Sequence, residues 1–420
     1  MKQLLFLMTG LFAATFYLQS QTITLEDCQQ KAANHYPAIA GYQVIEQTEK
    51  FNLQNASMAY LPQFSLTAQA GWQSDVTKID IEVPGIDIPF PDKDQYKAAL
   101  EMSQLIWDGG KTKAGRENIK AVAAAEKQRL QTEVYALRER VNNIYFGILL
   151  LDEQLQLHTS LEKELQRNHD NVESYIRNGV ANEADLSSVK VELLKAGQQR
   201  IELESARTAY LKMLSVLIGE NLHEETVLQK PVVTDVLPSH AVRRPELSLF
   251  DAQQHVIESQ KSRLTAMNMP VVALFAQGGY GKPGLNMLDN QFSPYFIGGV
   301  KLSWNFGNLY TWSNEKKKIN LQQQELQTQR ETFLYNLDII LPQQQSEIDK
   351  YRRTMQDDDE IIALRKIIRE AAEAKVENGT LTVSDLMKEI HAEEAAKQTK
   401  VLHEIQLLMA VYHLKFTTNQ

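Results

Sequence analysis

The chain has 420 residues, enough for two ordinary domains or one large one. Charged residues make up 23% of it, and the formal net charge is -9 with no block of basic residues. This composition disfavours binding to nucleic acid or to an anionic membrane surface, because both need a concentration of positive charge.

The N-terminus has the pattern of a secretory signal peptide, assigned to residues 1–20. Lys2 gives a positive start, an apolar stretch runs from Leu4 to Leu18, and the small Ser20 precedes the expected cut. The rest of the chain has no run of about 20 apolar residues, so no membrane-spanning helix is predicted. The single cysteine, Cys28, cannot form an internal disulfide and is interpreted as a small buried residue of the first helix.

The first half, residues 21–219, combines two periodicities. Apolar residues alternate with polar ones where strands are predicted, and they recur every three or four residues where helices are predicted. The predicted elements are a helix from Thr24 to about Ala59 with a break at Pro37, strands at about 63–74 and 96–107, a long helix at 111–177 and a helix at 180–218. Residues 75–95 are interpreted as a long loop, and residues 220–240 as an irregular connector.

The long helix contains a heptad seam. Its apolar positions are spaced alternately by four and three residues: Leu130, Val134, Leu137, Val141, Ile144, Ile148, Leu151 and Leu155. At about 1.5 Å per residue, a helix over 111–177 is roughly 100 Å long. Asn178-Gly179 ends it, since glycine favours the left-handed conformation that closes helices.

The second half, residues 241–420, repeats this order. It predicts a helix, strands at about 271–280 and 294–305, a long helix at 308–377, a tip at Asn378-Gly379 and a helix at 380–416. Matching positions lie 208 residues apart before the strands, 197 after them and 200 at the tips. The first half therefore has an 11-residue longer strand connection, and the second long helix has three extra residues, which we expect near Pro342. The chain is interpreted as an internal duplication.

The strands predict a membrane barrel shared between chains. Each has one apolar and one polar face, and four strands are too few to close a barrel. Three chains would supply twelve strands, with a polar lumen inside and lipid outside. The residues predicted to face lipid are Phe64, Leu66, Trp72, Tyr96, Leu100, Phe296, Val300 and Leu302. The alternative is a non-conducting periplasmic or envelope coiled-coil scaffold, which has no need of lipid-facing side chains.

Several motifs occur in a fixed order: Thr24–Cys28 before Tyr36-Pro37, Leu61-Pro62 before the first strand, Trp107–Gly110 before the long helix, and a tip glycine followed by Asp-Leu in both halves. In these the chain resembles the TolC-like outer-membrane efflux proteins over essentially its whole mature length. The resemblance implies an α+β membrane protein: a homotrimer whose twelve-stranded outer-membrane barrel continues as an α-helical coiled-coil barrel in the periplasm. It also implies a passive exit duct of a tripartite efflux or type I secretion system, docked to a periplasmic adaptor and an inner-membrane pump.

Carried over by position, the resemblance marks the tips as adaptor contacts and as the gate. Residues 177–188 and 377–388 are expected to meet the adaptor. The gate candidates are Asp385, Lys388 and Asp185. Each aspartate can also be explained as a first-turn helix acid near a favourable dipole end. For Asp385 the gate and the helix acid are equally favoured explanations, and for Asp185 the helix acid is preferred. Familiar members have an acid at the position of Lys388, an aromatic residue at that of Val376 and a basic residue at that of Leu381.

The sequence predicts no enzyme, cofactor or metal site. The one dinucleotide-binding spacing, Gly279–Gly284, is interrupted by Pro283, and the nine histidines have no paired-ligand spacing. The acidic run Asp357–Glu360 is interpreted as a solvated helix face. The exported substrate, the pump class, the state of the gate and any role of Cys28 are not predicted.

Overall fold

A computed structural model describes residues 22–76, 91–232, 242–287 and 289–419. Its α-helices are α1 Leu25–His35, α2 Ala40–Met58, α3 Lys111–Arg177, α4 Glu183–Ile218, α5 Pro245–Met267, α6 Asn308–Glu377 and α7 Val383–Thr418. Its strands are β1 Gln63–Trp72, β2 Asp94–Trp107, β3 Val271–Lys282 and β4 Ser293–Ser303. The described chain is therefore mostly helical with one four-stranded sheet, which confirms the predicted α+β class and its duplicated order.

The helices and strands group into two compact units, each built from both halves of the chain. The first, called here the sheet unit, consists of Ala40–Thr132 and Pro245–Tyr335. The second, called the tip unit, consists of the described residues up to Ile39, of Glu133–Arg244 and of the residues from Asn336 onward. Duplication in sequence thus does not mean one domain per half.

The sheet unit contains an antiparallel sheet in the order β1-β2-β3-β4. Because neighbours are antiparallel and β1 and β3 follow helices while β2 and β4 precede them, all four helix–strand junctions lie at one end of the sheet. This end is called the helical end. The opposite end, with the described residues 73–76, 91–93, 283–287 and 289–292, is called the loop end. Two strands exceed the predicted bounds: β2 begins at Asp94, which pairs with Trp72, and β3 extends to Lys282, which pairs with Tyr96. β1 and β4 end two residues earlier than predicted.

The turn from β2 into α3 explains the motif Trp107-Asp-Gly-Gly. Asp108 is buried, and its carboxylate accepts hydrogen bonds from the N–H groups of Gly110 (2.9 Å) and Thr112 (2.6 Å). It therefore satisfies donors that a helix start leaves unpaired. Gly109 has a φ of +70°, and a Cβ there would collide with Met269. In the second half Asn305 takes the capping role and accepts from the N–H of Gly307 (3.0 Å).

The tip unit has a core formed by α1, α3, α4 and α7. Val141 and Ile148 of the predicted heptad seam are fully buried in it, together with Leu214. Tyr145 donates its hydroxyl to the carbonyls of Ile23 (2.8 Å) and Gln229 (2.7 Å), which ties the N-terminal segment to the connector. Cys28 is buried in α1, and burial raises the pKa of its thiol to about 12.

The long helices differ in length as the offsets predict. α3 has 67 residues and α6 has 70. Helix α6 is unbroken through Pro342, an exposed residue. The return helices α4 and α7 begin at Glu183 and Val383, three residues later than predicted, because Asn182 and Thr382 serve as their N-caps.

Two further predictions concern the acidic run of α6 and the segments at the N-terminus and in the loops. The acidic run is only partly solvated, because Asp358 is buried and lies 2.8 Å from His403 Nδ1 of α7. The proposed signal peptide, residues 1–20, lies outside the described residues. So do 77–90, which hold most of the first predicted loop, and 233–241, which hold part of the connector.

Candidate functional site: the sheet faces and the hairpin tips

The sheet has one continuous apolar face. The register pairs even-numbered residues with even-numbered ones, such as Leu66 with Leu100 and Leu274 with Val300, up to a bulge near Leu105. Since paired residues point to the same side, the even-numbered residues share one face. The eight residues predicted to face lipid all lie on it and are exposed: Phe64, Leu66, Trp72, Tyr96, Leu100, Phe296, Val300 and Leu302.

Aromatic residues mark both ends of the sheet. At the loop end, the ring of Phe292 lies 6.0 Å from that of Tyr96 and 5.7 Å from that of Tyr280. At the helical end, the ring of Trp304 lies 4.8 Å from that of Phe306, and both side chains are about half exposed. Aromatic residues at both ends of an apolar band are typical of the two interfaces between bilayer and water.

The opposite face, formed by odd-numbered residues, is mainly polar. Its polar members include Gln63, Ser65, Thr67, Gln69, Glu101, Ser103, Gln277, Lys301 and Ser303. Tyr295 crosses this face: its ring centroid lies 5.2 Å from Lys97 Nζ and fills the space that a Cβ at Gly279 would need. Strands with one apolar and one polar face fit a wall between lipid and an aqueous lumen.

The two tips close their incoming helices in the same way. Gly179 and Gly379 have φ values of +73° and +70°, which glycine adopts without a steric penalty. In each tip the N–H of the residue after the glycine donates to the carbonyl five residues earlier, over 2.9 Å. This Schellman arrangement satisfies carbonyls that a helix end leaves free. Asn178 and Asn378 directly precede the two glycines, as predicted for hairpin tips.

The two predicted aspartates take part in capping the outgoing helices. Asn182 Oδ1 accepts from the N–H of Asp185 (3.1 Å), and the Asp185 carboxylate accepts from the N–H of Asn182 (3.0 Å), which forms a capping box. Thr382 Oγ1 accepts from the N–H of Asp385 (3.1 Å) and donates to the Asp385 carboxylate (2.7 Å). A local structural role is therefore present for both aspartates, whatever else they do.

Only the second tip adds a cation to its aspartate within the described chain. Lys388 Nζ lies 2.8 Å from Asp385 Oδ1. Hydrogen bonds from Lys388 and then Thr382 hold the pKa of Asp385 below its usual value, and the carboxylate raises the pKa of Lys388. At the matching position of the first tip, Ser188 donates instead to the carbonyl of Ala184 (2.9 Å). The second tip therefore carries a local ion pair in place of a lone carboxylate.

The tips lie side by side in the tip unit. Asp185 and Asp385 both line a cleft of about 380 Å³, and a Cβ on Gly379 would lie 3.5 Å from Val180 Cγ1. Val376, which stands where familiar members have an aromatic residue, lines this cleft and is buried in an apolar cluster. The two aspartates and Lys388 are thus brought into one small region.

Further along the hairpins lies a buried charge layer that the sequence analysis missed. Arg369 of α6 bonds to Glu393 of α7 (2.6 Å), to Glu373 (3.0 Å) and to Glu164 of α3 (3.2 Å), while Arg167 of α3 pairs with Glu373 (3.2 Å). Only the four-residue spacing between Arg369 and Glu373 was visible in the sequence. The layer joins the two hairpins, because an arginine of each hairpin pairs with a glutamate of the other.

Two features are absent from the described residues. No group of three or more His, Cys, Asp or Glu side chains in these ranges is placed to hold a metal ion. No helix within them is both long and apolar enough to cross a bilayer.

Solved structures share this fold over most of its length. CusC, solved in connection with transmembrane channel formation, has a TM-score of 0.69 at 14% identity, covering 94% of this chain and 91% of its own. The CmeC outer membrane channel of Campylobacter jejuni has a TM-score of 0.64 at 14% identity, covering 94% and 85%. The outer membrane protein VceC of Vibrio cholerae has a TM-score of 0.60 at 15% identity, covering 93% and 95%. At these identities the likeness establishes the fold.

One segment of the sequence matches a known family. Residues 29–220 match the family model described as outer membrane efflux protein. No curated protein matches the chain significantly in sequence. The family model and the solved structures together confirm the resemblance to the TolC-like outer membrane efflux proteins that the ordered motifs indicate.

Proposed function

We propose that this chain is the outer-membrane exit duct of a tripartite efflux or type I secretion system, acting as a passive homotrimeric channel. The observation that carries the proposal is the four-stranded sheet, with one face of exposed apolar residues and the other mainly polar. In water, an uncovered apolar face of this extent is unfavourable. A bilayer on one side and an aqueous lumen on the other satisfy both faces.

The edges of the sheet support an association of several chains. Within the described residues, β1 and β4 each pair on one side only, so the sheet has two open edges. Open edges cannot stay unpaired inside a membrane, because their backbone groups would lack hydrogen-bond partners. Three copies joined β4 to β1 close a barrel of twelve strands, a size within the range of bacterial outer-membrane barrels.

The tip unit supports an association of chains by a separate observation. Helices α4 and α6 leave apolar side chains exposed at helical spacing: Val191, Leu194, Ile201, Met213 and Val216 on α4, and Ile361, Leu364, Ile367 and Ile368 on α6. Such stripes are typical of coiled-coil seams that lack their partner. Contacts between copies would cover them and extend the barrel as a tube of helices into the periplasm.

The tips are proposed as the gate and as the adaptor contact. In a trimer, Asp385 would occur three times around one opening, and a ring of carboxylates favours cations. The ion pair with Lys388 reduces that preference here. Residues 177–188 and 377–388 would meet the periplasmic adaptor, through which the duct reaches an inner-membrane pump. In such a system the pump selects the cargo, so the duct itself is not an enzyme.

The assignment to a membrane barrel can be tested with two neighbouring residues of β1. Leu66 lies on the apolar face and Thr67 on the polar face. A lysine facing lipid near the bilayer centre costs about 2–4 kcal/mol, while a lysine facing the lumen is solvated. Leu66→Lys should therefore reduce the yield of membrane-inserted trimer, and Thr67→Lys should leave it unchanged while altering conductance.

The measurements are the mass of the detergent-purified assembly and single-channel currents in planar bilayers. A trimer that conducts, with the expected difference between the two variants, supports the proposal. A monomer that fractionates without detergent and forms no pores contradicts it and favours the alternative of a periplasmic coiled-coil scaffold. Equal effects of the two lysine substitutions would contradict the assignment of the faces.

A further inference from the structure

Basic residues are concentrated at the helical end of the sheet, although the protein as a whole is acidic. Segments 111–120, 259–267 and 308–318, which lead into or out of the strands there, contain nine basic and two acidic residues. The chain as a whole has a net charge of -9. The loop end is the opposite, since its described residues 73–76, 91–93, 283–287 and 289–292 include three acidic residues and one basic residue. The two ends of the sheet therefore differ in sign.

Most of the basic side chains at the helical end are not neutralised by the protein. Within the described residues, only Lys318 of the nine forms an ion pair, with Glu315 at 3.1 Å. Basic residues of the same unit further along the helices do find partners. Lys127 lies 3.2 Å from Glu46, and Arg330 lies 2.9 Å from Asp251. Unpaired positive charge is therefore concentrated where the sheet ends.

One of the two helices that leave the strands at this end starts with charges that the helix dipole disfavours. Helices α1, α4, α5 and α7 have acidic residues in their first turn, as the positive end of a helix dipole favours. Helices α3 and α6, which leave the strands, have none. Helix α3 instead begins with Lys111 and Lys113. A partner other than the helix must account for basic residues at this position.

The position along the helix fits the boundary of a bilayer. Lys318 is ten residues after the start of α6, or about 15 Å along its axis. Between it and the sheet lie exposed Tyr310 and Trp312, and Lys316 Nζ lies 5.4 Å from the centroid of the Trp312 ring. Aromatic residues favour the interface, and flexible lysines just beyond them reach back to the headgroups.

We infer that the unpaired basic residues of segments 111–120, 259–267 and 308–318 form a basic collar that binds the anionic headgroups of phospholipids in the leaflet on the helical side. This inference rests on the proposed function, since it requires the sheet to be inserted in a membrane. It differs from the expectation from composition, because the positive charge is concentrated locally while the chain as a whole is acidic. Three copies of the collar would surround the barrel where it leaves the bilayer.

The ligand class follows from the charge of the collar and from its position. Bacterial phospholipids include anionic phosphatidylglycerol and cardiolipin beside zwitterionic phosphatidylethanolamine. Flexible ammonium groups act as point charges toward phosphate and impose little geometry. The collar therefore selects for headgroup charge, and its effect falls as salt screens that charge.

The test uses purified protein reconstituted into vesicles of phosphatidylethanolamine with one-fifth phosphatidylglycerol. The protein is then extracted with its surrounding lipid, and mass spectrometry measures the enrichment of phosphatidylglycerol over the bulk. The variant replaces the unpaired Lys316 and Lys317 together by glutamine. The matched control replaces Lys366 and Lys375, two exposed lysines of the same helix in the tip unit, by glutamine.

The native protein and the control should show enrichment that decreases between about 50 and 500 mM salt. The collar variant should lose most of it, with a decrease of about fivefold for each lysine that contacts the surface. If the channels conduct but phosphatidylglycerol is not enriched around them, the collar is overturned and the proposed function is left intact. The same holds if the control loses as much enrichment as the collar variant. Protein that neither inserts nor conducts would overturn both. A collar variant with unchanged lipid enrichment but impaired export would assign these lysines to a protein partner and overturn the inference.

Discussion

The two hairpins have the same backbone at their tips and different chemistry behind them. Both tips use a glycine with φ near +70° and an aspartate in the cap of the outgoing helix. At an offset of 200 residues, however, Lys388 corresponds to Ser188. Likewise the buried Glu393 and Glu394 correspond to Leu193 and Leu194. The second hairpin thus places charges where the first has neutral residues.

This difference separates what a hairpin tip requires from what it can vary. Reversing the chain between two helices demands a left-handed residue and partners for the free N–H and carbonyl groups, so both copies keep these features. Nothing in the turn fixes the residues further along the helices. After duplication, one hairpin could acquire an ion-pair network, with Arg369 at its centre, while the other kept apolar side chains.

The largest effect should come from removing the central cation of the second hairpin. Arg369→Met removes the cation nearest to the buried Glu393 and to Glu164, while Lys397 stays 2.8 Å from Glu393. The cost should therefore fall at the lower end of the about 3–5 kcal/mol expected when a buried ion pair is broken. The readout is the denaturation midpoint of the purified assembly. His169→Met, at the matching position of the first hairpin, is the control and should change it little. Equal losses would show that the two hairpins do not differ in this way.

The tip glycines should show the next largest effect, and here the hairpins should agree. A valine at Gly379 or Gly179 is strained by the positive φ, at a cost of about 1–3 kcal/mol. Gly197→Val, at an open helical position without a positive φ, is the control. Thermal stability and protease cleavage at the tips report the change. Unchanged stability and export in Gly379→Val would argue against the left-handed cap.

Glu394 should make the second hairpin sensitive to pH. The pKa of Glu394 is raised above its ordinary value of 4.5, and the largest cause is the burial of the carboxyl group. A raised pKa means that the folded state holds its proton more tightly than the unfolded state. The associated stability is complete below pH 4.5 and is lost as pH rises through the raised pKa.

Glu394→Gln should therefore be more stable than the native protein at neutral pH, by about 1.4 kcal/mol for each pH unit by which the folded pKa of Glu394 exceeds 4.5. Its melting temperature should also vary less with pH above pH 4.5. Leu194→Gln, the matching change in the first hairpin, should leave that profile unchanged. A profile for Glu394→Gln parallel to that of the native protein would contradict this role.

The smallest effect on stability, but a direct effect on permeation, is expected from Lys388→Gln. Both members of the pair with Asp385 are exposed enough for solvent screening, so stability should change little. Removing the lysine leaves the carboxylate without its cation, and the channel should become more selective for cations. Reversal potentials in a salt gradient measure this. Ser188→Lys should shift selectivity the other way if Asp185 also faces the opening.

Much of the candidate site could be read from the sequence because it depends on local physics. The alternation in β1 to β4 placed eight side chains on one face, and the register then joined those faces. The tip glycines were visible because few residues other than glycine adopt a positive φ readily. The later start of α4 and α7 was missed because the capping roles of Asn182 and Thr382 appear only with the hydrogen bonds of the tip.

By itself, the sequence determined the elements, their duplication and the two-faced strands, since these follow from periodicity and from residues close together in the chain. Only the tertiary structure decided which distant charges meet. It brought Arg369 to Glu164 across 205 positions, and it gathered the basic collar from three separate segments of an acidic chain. Such partnerships depend on which helix faces pack together, and no local pattern of residues specifies that.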